Sequence, residues 1–299
     1  MGRSSGERIV EGPVPLRIPL GTGNWGDPVD GPGANTVGWK ALLWDVDGTL
    51  AETELHGHRL AFNHAFKAAG LPWRWDEATY RQLLAISGGR ERIRHFLEHH
   101  QRGPVSASLV ESLMGAKQEA YATLARTGPL PLCPGVQRLV SEAARHGLPQ
   151  ALVTTSSRSA VAALMEGHGP VLADAFAFWI CGEDVNAKKP SPEGYQVALN
   201  RLNLASTDVL VLEDSPQGLA AARGAALPCL LTLGDHAARA NHALPSEASP
   251  WWQGARAAVN HLGDGQRPTS VLLGPPCQEG RVTLSWLQRL MEGQWADHR

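Results

Sequence analysis

Four short groups of side chains in this sequence could carry chemistry. Asp45-Val46-Asp47-Gly48-Thr49 sets two carboxylates two residues apart, directly after the apolar run Ala41-Leu42-Leu43-Trp44. In extended chain, alternate residues share a side, so the two acids are neighbours. They repel unless a cation shares them, and an oxygen-only environment favours Mg²⁺. The same letters could open an EF-hand loop, but that loop's third ligand position and its distant Glu are missing. Further on, Thr154-Thr155-Ser156-Ser157 offers hydroxyls and amides ahead of a helix, suited to an anion or simply to capping that helix. In Ala187-Lys188-Lys189-Pro190 the proline holds the preceding residue extended and fixes where Lys189 points. Glu213-Asp214, after Val211-Leu212, adds two acids that could complete a cation's oxygen shell or start a helix.

Each group stands at the end of a short apolar run or in the loop beyond it, which points to the elements that must position them. Runs of the kind expected for strands buried on both faces occur at Ala41–Trp44, Ala151–Val153, Phe176–Ile180, Val209–Leu212 and Cys229–Leu231. Helical patterns at Val136–His146, Ser157–His168 and Pro216–Ala226 lie between them. Strand and helix in alternation predict an α/β fold, a doubly wound parallel sheet, whose ligands bind beyond the carboxyl ends of the strands. Between the first and second strands some hundred residues show helical spacing only: Leu55, His58, Phe62 and Phe66, then Tyr80, Leu83 and Leu84, then Ile93, Phe96 and Leu97. This predicts an inserted α-helical domain at 56–128, with the core at 39–55 and 129–245 and a Pro/Gly hinge at Thr127–Pro131. Residues 1–38 hold nine glycines and five prolines and read as a flexible extension. Gly21, Gly23 and Gly26 fit G-x-G-x-x-G, but Asp27-Pro28 follows where a dinucleotide site needs a helix. Residues 246–299 read as a C-terminal extension, with Leu284, Leu287 and Met291 on one helix face and no assigned role.

Composition narrows the function classes. The chain has 299 residues, and 27 Lys+Arg against 29 Asp+Glu give a net charge of −2, with no basic block to track a nucleic-acid backbone. The apolar runs fall far short of the roughly 20 residues that span a bilayer. Cys133, Cys181, Cys229 and Cys277 form no C-x-x-C pair, and the first 20 residues lack an apolar h-region. Reduced thiols, a cytoplasmic location, no nucleic-acid or membrane partner and a monomer are the expectations.

In order, DxDGT, Thr, Lys-Pro and Glu-Asp resemble the four motifs of the haloacid dehalogenase superfamily, across about residues 40–235. The resemblance implies a Rossmann-like core in which Asp45 attacks phosphorus and Asp47 is general acid and base. Thr154 and Lys189 would hold the phosphoryl group. Asp45, Asp47 (through its carbonyl), Glu213 and Asp214 would bind Mg²⁺. The position of the helical insertion resembles the cap of the β-phosphoglucomutase-like branch. Asp47–Glu54, His58-Arg59, Ala61–Asn63, Trp73, Trp75-Asp76 and Gly88–Ile93 further resemble the CbbY family, which implies a sugar-bisphosphate phosphatase removing xylulose 1,5-bisphosphate, an inhibitor of Rubisco.

Within the cap, Gly88-Gly89 opens a helix whose free amides, with Arg90 and Arg92 beside them, suit a second phosphate, although a solvated basic face reads equally well. Glu54 and His58 at the hinge, Tyr80 and Thr155 complete the candidate contacts to a small phosphosugar. Trp73 and Trp75 read as packing. A phosphosugar mutase and a non-catalytic phosphosugar sensor are the competing readings.

Overall fold

The computed structural model describes residues 38–101, 105–128, 130–234, 252 and 254–293; the Gly/Pro-rich extension up to residue 37, with its Gly21-Gly23-Gly26 pattern, lies outside them. Strand β1 (Ala41–Trp44) pairs in parallel with β2 (Gln150–Val153) on one side and β4 (Val209–Glu213) on the other. With β3 (Phe178–Ile180) and β5 (Cys229–Thr232), also parallel, the order is β3-β2-β1-β4-β5. The chain therefore reverses its direction of travel across the sheet at β1 and β4, where a doubly wound sheet opens a crevice.

Period-two alternation decides what each residue of β1 touches. Leu42 and Trp44 join one apolar cluster, and Ala41 and Leu43 join the other, all four fully buried. The insertion supplies α1 (Arg59–Ala68), α2 (Glu77–Leu83), α3 (Gly89–Gln101) and α4 (Ala107–Thr127). On the first face of the sheet lie α5 (Val136–Arg145) and α6 (Arg158–His168), followed by the short α7 (Pro170–Asp174). On the second lie α8 (Glu193–Leu202) and α9 (Pro216–Gly224). Ser157 and Ser215 cap α6 and α9 by accepting from the Ala160 and Gly218 amides.

The inserted helices bury a core of their own, in which Phe62, Phe66, Trp75, Tyr80 and Phe96 pack ring against ring. Trp75 is locked by Asn63, which donates to its carbonyl at 2.8 Å and accepts from its amide at 2.7 Å. Trp73 and Trp75 both belong to this packing. The four cysteines are free. No described helix is long and apolar enough to cross a membrane.

The C-terminal segment, without a role in the sequence, extends the sheet. β6 (Ala257–Val259) pairs in parallel with β5, and β7 (Val271–Leu273) pairs antiparallel with β6, so the wholly parallel expectation gains one antiparallel edge. Helix α10 (Leu284–Glu292) buries Leu284, Trp286, Leu287 and Leu290 in the first-face core. Arg138 of α5 fastens the loops of this segment, donating to the carbonyls of Leu262, Gly263 and Val282 at 2.9, 3.2 and 2.7 Å. Gly135 lies so close to Gly263 that a Cβ there would overlap its carbonyl. If α10 is core rather than appendage, Leu287→Ala lowers global stability by about 2–5 kcal/mol in urea unfolding, in one cooperative transition; a loss below 1 kcal/mol would contradict this packing.

Candidate active site

The carboxyl ends of β1, β2 and β4 meet at the crevice, and the register brings their next residues together: Trp44 lies opposite both Leu152 and Leu212. Asp45 follows β1, its amide donating to Leu212 O at 3.0 Å. Thr154 follows β2, buried, with its hydroxyl accepting from the Ser156 amide at 3.1 Å. Lys189 arrives from the loop after β3, and Glu213 closes β4 with Asp214 beyond it. The Lys189–Pro190 peptide is cis.

Lys189 is the hub. Its ammonium, buried, donates to Asp45 Oδ1 at 2.6 Å, to Val153 O at 2.7 Å and to Glu213 Oε1, which uses all three of its protons. Glu213 is itself held on every side. Tyr195 of α8 donates to Oε1 at 2.7 Å, while the Ser215 hydroxyl and the Asp214 amide donate to Oε2 at 3.3 and 3.2 Å. Gly218 leaves room for this carboxyl, which a Cβ there would overlap.

One oxygen from each of Asp45, Glu213 and Asp214 lies within 4.8 Å of the others. Two buried acids and the half-buried Asp214 face Lys189, so positive charge is short. Burial pushes Asp45 up to about 8 against the pull of Lys189, with the charges of Glu213 and Asp47 adding to the rise. Asp214 is raised well above the carboxylate range by burial and by Asp45 and Glu213. An all-oxygen donor set short of cationic charge fits Mg²⁺. Because Glu213 already accepts four hydrogen bonds, Asp45 and Asp214 are the freer ligands. The Asp214 carboxyl packs against Gly48, whose φ of 88° and missing Cβ let the turn after β1 pass beneath it.

The Asp47 side chain stands outside this cluster, leaving only its carbonyl for a metal. Oδ1 accepts from Thr53 and bonds His58 Nε2 at 2.9 Å, and Oδ2 accepts from Ser156. Burial works to raise this carboxyl, but the His58 charge and the three hydrogen bonds outweigh it and hold the group well below the usual range. His58 ends a π-helical turn, Glu54–His58, that leads into α1, stacks on Tyr121 of α4 and bonds Lys117 of α4 through Nδ1 at 2.9 Å. Lys117 is buried, and that burial lowers it to about 8 despite Asp47 and Glu54.

The other expected contacts divide. Tyr80 donates to Glu54 and accepts from Arg92 at 2.8 Å, and Arg92 also donates to Leu83 O at 3.1 Å and Ile86 O at 3.2 Å, so this buried arginine braces the Glu54–Tyr80 pair. Arg90 pairs with Glu111 of α4 at the surface. Gly88, with φ 92°, and Gly89 begin α3 as the sequence expects. Thr155 sits in the bend after β2, where its carbonyl packs on Gly182.

Lys117 and Tyr195 escaped the sequence reading, while Ser156 and Thr53 stood only as members of longer runs, without Asp47 as their partner. For Lys117 a signal existed: Val110, Leu113, Lys117, Tyr121 and Ala125 are the buried positions of α4, so a lysine occupies an apolar stripe. For Tyr195 none did, since a tyrosine on a buried helix face reads as packing. A cavity of about 540 Å³ lies beside the hinge around Cys133, Arg138 and Arg267, and Asp45, Asp47, Glu213 and Asp214 do not line it.

A profile of the haloacid dehalogenase-like hydrolases matches residues 39–226. The plasmid-borne protein CbbY of Cupriavidus necator is 38% identical over 235 residues, spanning 77% of this chain and 88% of that one. Protein CbbY of Cereibacter sphaeroides is 42% identical over 196 residues, 65% of this chain and 84% of its own. Among solved structures, a mutant CbbY from Rhodobacter sphaeroides in complex with xylulose 1,5-bisphosphate matches with TM-score 0.61 and 41% identity, over 66% of this chain and 87% of that one.

Gly218→Ala separates propensity from packing. A helix-interior Gly→Ala change ordinarily gains about 0.5–1 kcal/mol, but here the new methyl displaces the Glu213 carboxyl. Urea unfolding is expected to show a loss of about 1–3 kcal/mol, with a fall in kcat through Lys189; a stabilised, fully active variant would refute the placement of Glu213.

Proposed function

Because the chain belongs to the haloacid dehalogenase-like hydrolases and, within them, to the CbbY family, we propose that it is a Mg²⁺-dependent sugar-bisphosphate phosphatase whose substrate is xylulose 1,5-bisphosphate. Membership itself makes it an enzyme that hydrolyses phosphate esters. The observation that carries the mechanism is the convergence of Asp45, Lys189 and Asp214 at one crevice, with Asp47 beside it under cap control. The pentulose is supported by the likeness to a CbbY whose structure holds that bisphosphate.

Asp45 is the nucleophile. A carboxylate oxygen attacks phosphorus, the bond to the sugar oxygen breaks, and that oxygen leaves with a proton from Asp47. Water then attacks the aspartyl phosphate while Asp47 takes its proton, which frees inorganic phosphate and restores Asp45. The donors on Asp47 favour its ionised form, the one this second half requires. Lys189 and the Thr154 hydroxyl face the transferred oxygens. A lysine about 4 Å from a phosphate oxygen contributes on the order of 4 kcal/mol at an effective dielectric near 20, before desolvation. A magnesium ion held by Asp45 and Asp214, with Glu213 alongside, would supply the positive charge that lets a carboxylate approach a phosphate dianion. His58, standing on Asp47 from the cap side of the hinge, ties the acid–base group to cap position. Glu54, oriented by Tyr80 and Arg92, faces the sugar hydroxyls.

Purified enzyme given a panel of pentulose and hexose bisphosphates is expected to release one phosphate per xylulose 1,5-bisphosphate with Mg²⁺, and none with EDTA. Isomerisation of β-glucose 1-phosphate without net phosphate would point to a mutase instead. Asp45→Asn abolishes turnover, whereas Asp47→Asn lowers kcat by roughly 10²- to 10⁴-fold.

The pH profile gives an independent check. A bound cation favours ionised Asp45 over the protonated acid, so raising Mg²⁺ moves the acid limb of kcat/KM to lower pH. A limb indifferent to Mg²⁺ would dissociate Asp45 from the metal.

A further inference from the structure

The Gly88-Gly89 turn of the cap lies against the core loop that carries Lys189, and a cation from that loop stands beside it. Arg90 is turned away to Glu111, and Arg92 is sealed among Tyr80, Leu83 and Ile86. Lys188 reaches the turn from the opposite side. Its Nζ stands 3.3 Å from where a Cβ on Gly88 would lie and 3.5 Å from Glu91 Oε1. The stem of Lys188 runs past Gly182, its Cε 3.3 Å from where a Cβ would be. A second contact closes the same seam: Gln217 at the start of α9 donates to Ala85 O at 3.2 Å. Residues 85–91 of the cap are thus tied to the loops after β3 and β4, the two loops that also deliver Lys189 and Asp214.

We propose that Lys188 is a specificity-determining residue, the cation that receives the distal phosphate of the substrate while Lys189 holds the phosphoryl group being transferred. The inference rests on the bisphosphate reading above. The two neighbours are aimed differently. Lys189 is buried with its ammonium on Asp45, whereas the Lys188 side chain is 29% exposed at the mouth between cap and core. One dipeptide therefore presents a cation at the reacting centre and another at the rim, where only a substrate with a second anionic group can reach both. Glu91 is the counter-ion that this phosphate displaces. A part-exposed carboxylate pair is weak, and a phosphate dianion at the same lysine carries more charge.

The test measures kcat/KM of the wild type, Lys188→Met and Lys188→Arg for xylulose 1,5-bisphosphate and for p-nitrophenyl phosphate. Methionine keeps the apolar stem and removes the charge. Lys188→Met is expected to lower the ratio of the two kcat/KM values about tenfold, the usual scale of one charged hydrogen bond, chiefly through KM for the bisphosphate. Lys188→Arg is expected to restore most of that ratio. Equal losses on both substrates, or an unchanged ratio with a wild type that prefers the bisphosphate, would overturn the role of Lys188 alone. A wild type that turns over monophosphates as readily as bisphosphates would overturn the bisphosphate reading together with it.

Discussion

A lysine ammonium buried among carboxylates is the constraint around which this molecule is arranged. Lys189 could not sit uncompensated behind β1, and neither could Asp45 and Glu213 without it, since breaking such a pair from one side costs about 3–5 kcal/mol. Its surroundings are built accordingly: a carbonyl from β2, an acid from the end of β1 and another from the end of β4. Glu213 in turn is fixed by Tyr195, by Ser215 and by the space at Gly218, so a tyrosine one helix away helps set, through Lys189, where Asp45 points. The remaining excess of negative charge on Asp45 and Asp214 is what suits the centre to a cation.

The second carboxylate of the first motif belongs to a different network, and that separation gives the two acids different electrostatic surroundings. Asp45 lies with Lys189, whereas Asp47 lies with Thr53, His58 and Ser156. Period two would leave them side by side, yet the chain turns away at Gly48 and the hinge donors hold Asp47 elsewhere. His58 comes to Asp47 on a π-helical turn and is backed by Lys117 of α4, so Asp47 and the insertion share one hydrogen-bonded chain. The cap and Asp47 are thereby linked through the buried His58 and Lys117, where such links are strongest.

Order along the chain was legible to a large extent. The four motifs, the strands at Ala41–Trp44 and Val209–Leu212 and the helix over Ser157–His168 were marked by apolar runs and a serine cap, all local signals. What escaped was set by distant partners. Strand β6 escaped because Ala-Ala-Val is a weak strand former that pairs only where β5 offers an open edge. The arginines of the cap were legible as charges but not as partners. Arg92 is a brace, Arg90 faces Glu111, and the cation at the Gly88 turn comes from a loop almost a hundred residues on.

The sequence alone determined which chemical groups exist and in which strand-end loops they ride, because strand burial, caps and proline restriction act over a few residues. Tertiary structure decided which acid meets which cation. Sheet register brings residues 45, 154, 189 and 213 to one crevice, cap packing assigns His58 and Lys117 to Asp47, and the seam gives Lys188 to the cap. Those pairings depend on through-space electrostatics between segments far apart in the chain, and no local pattern encodes them.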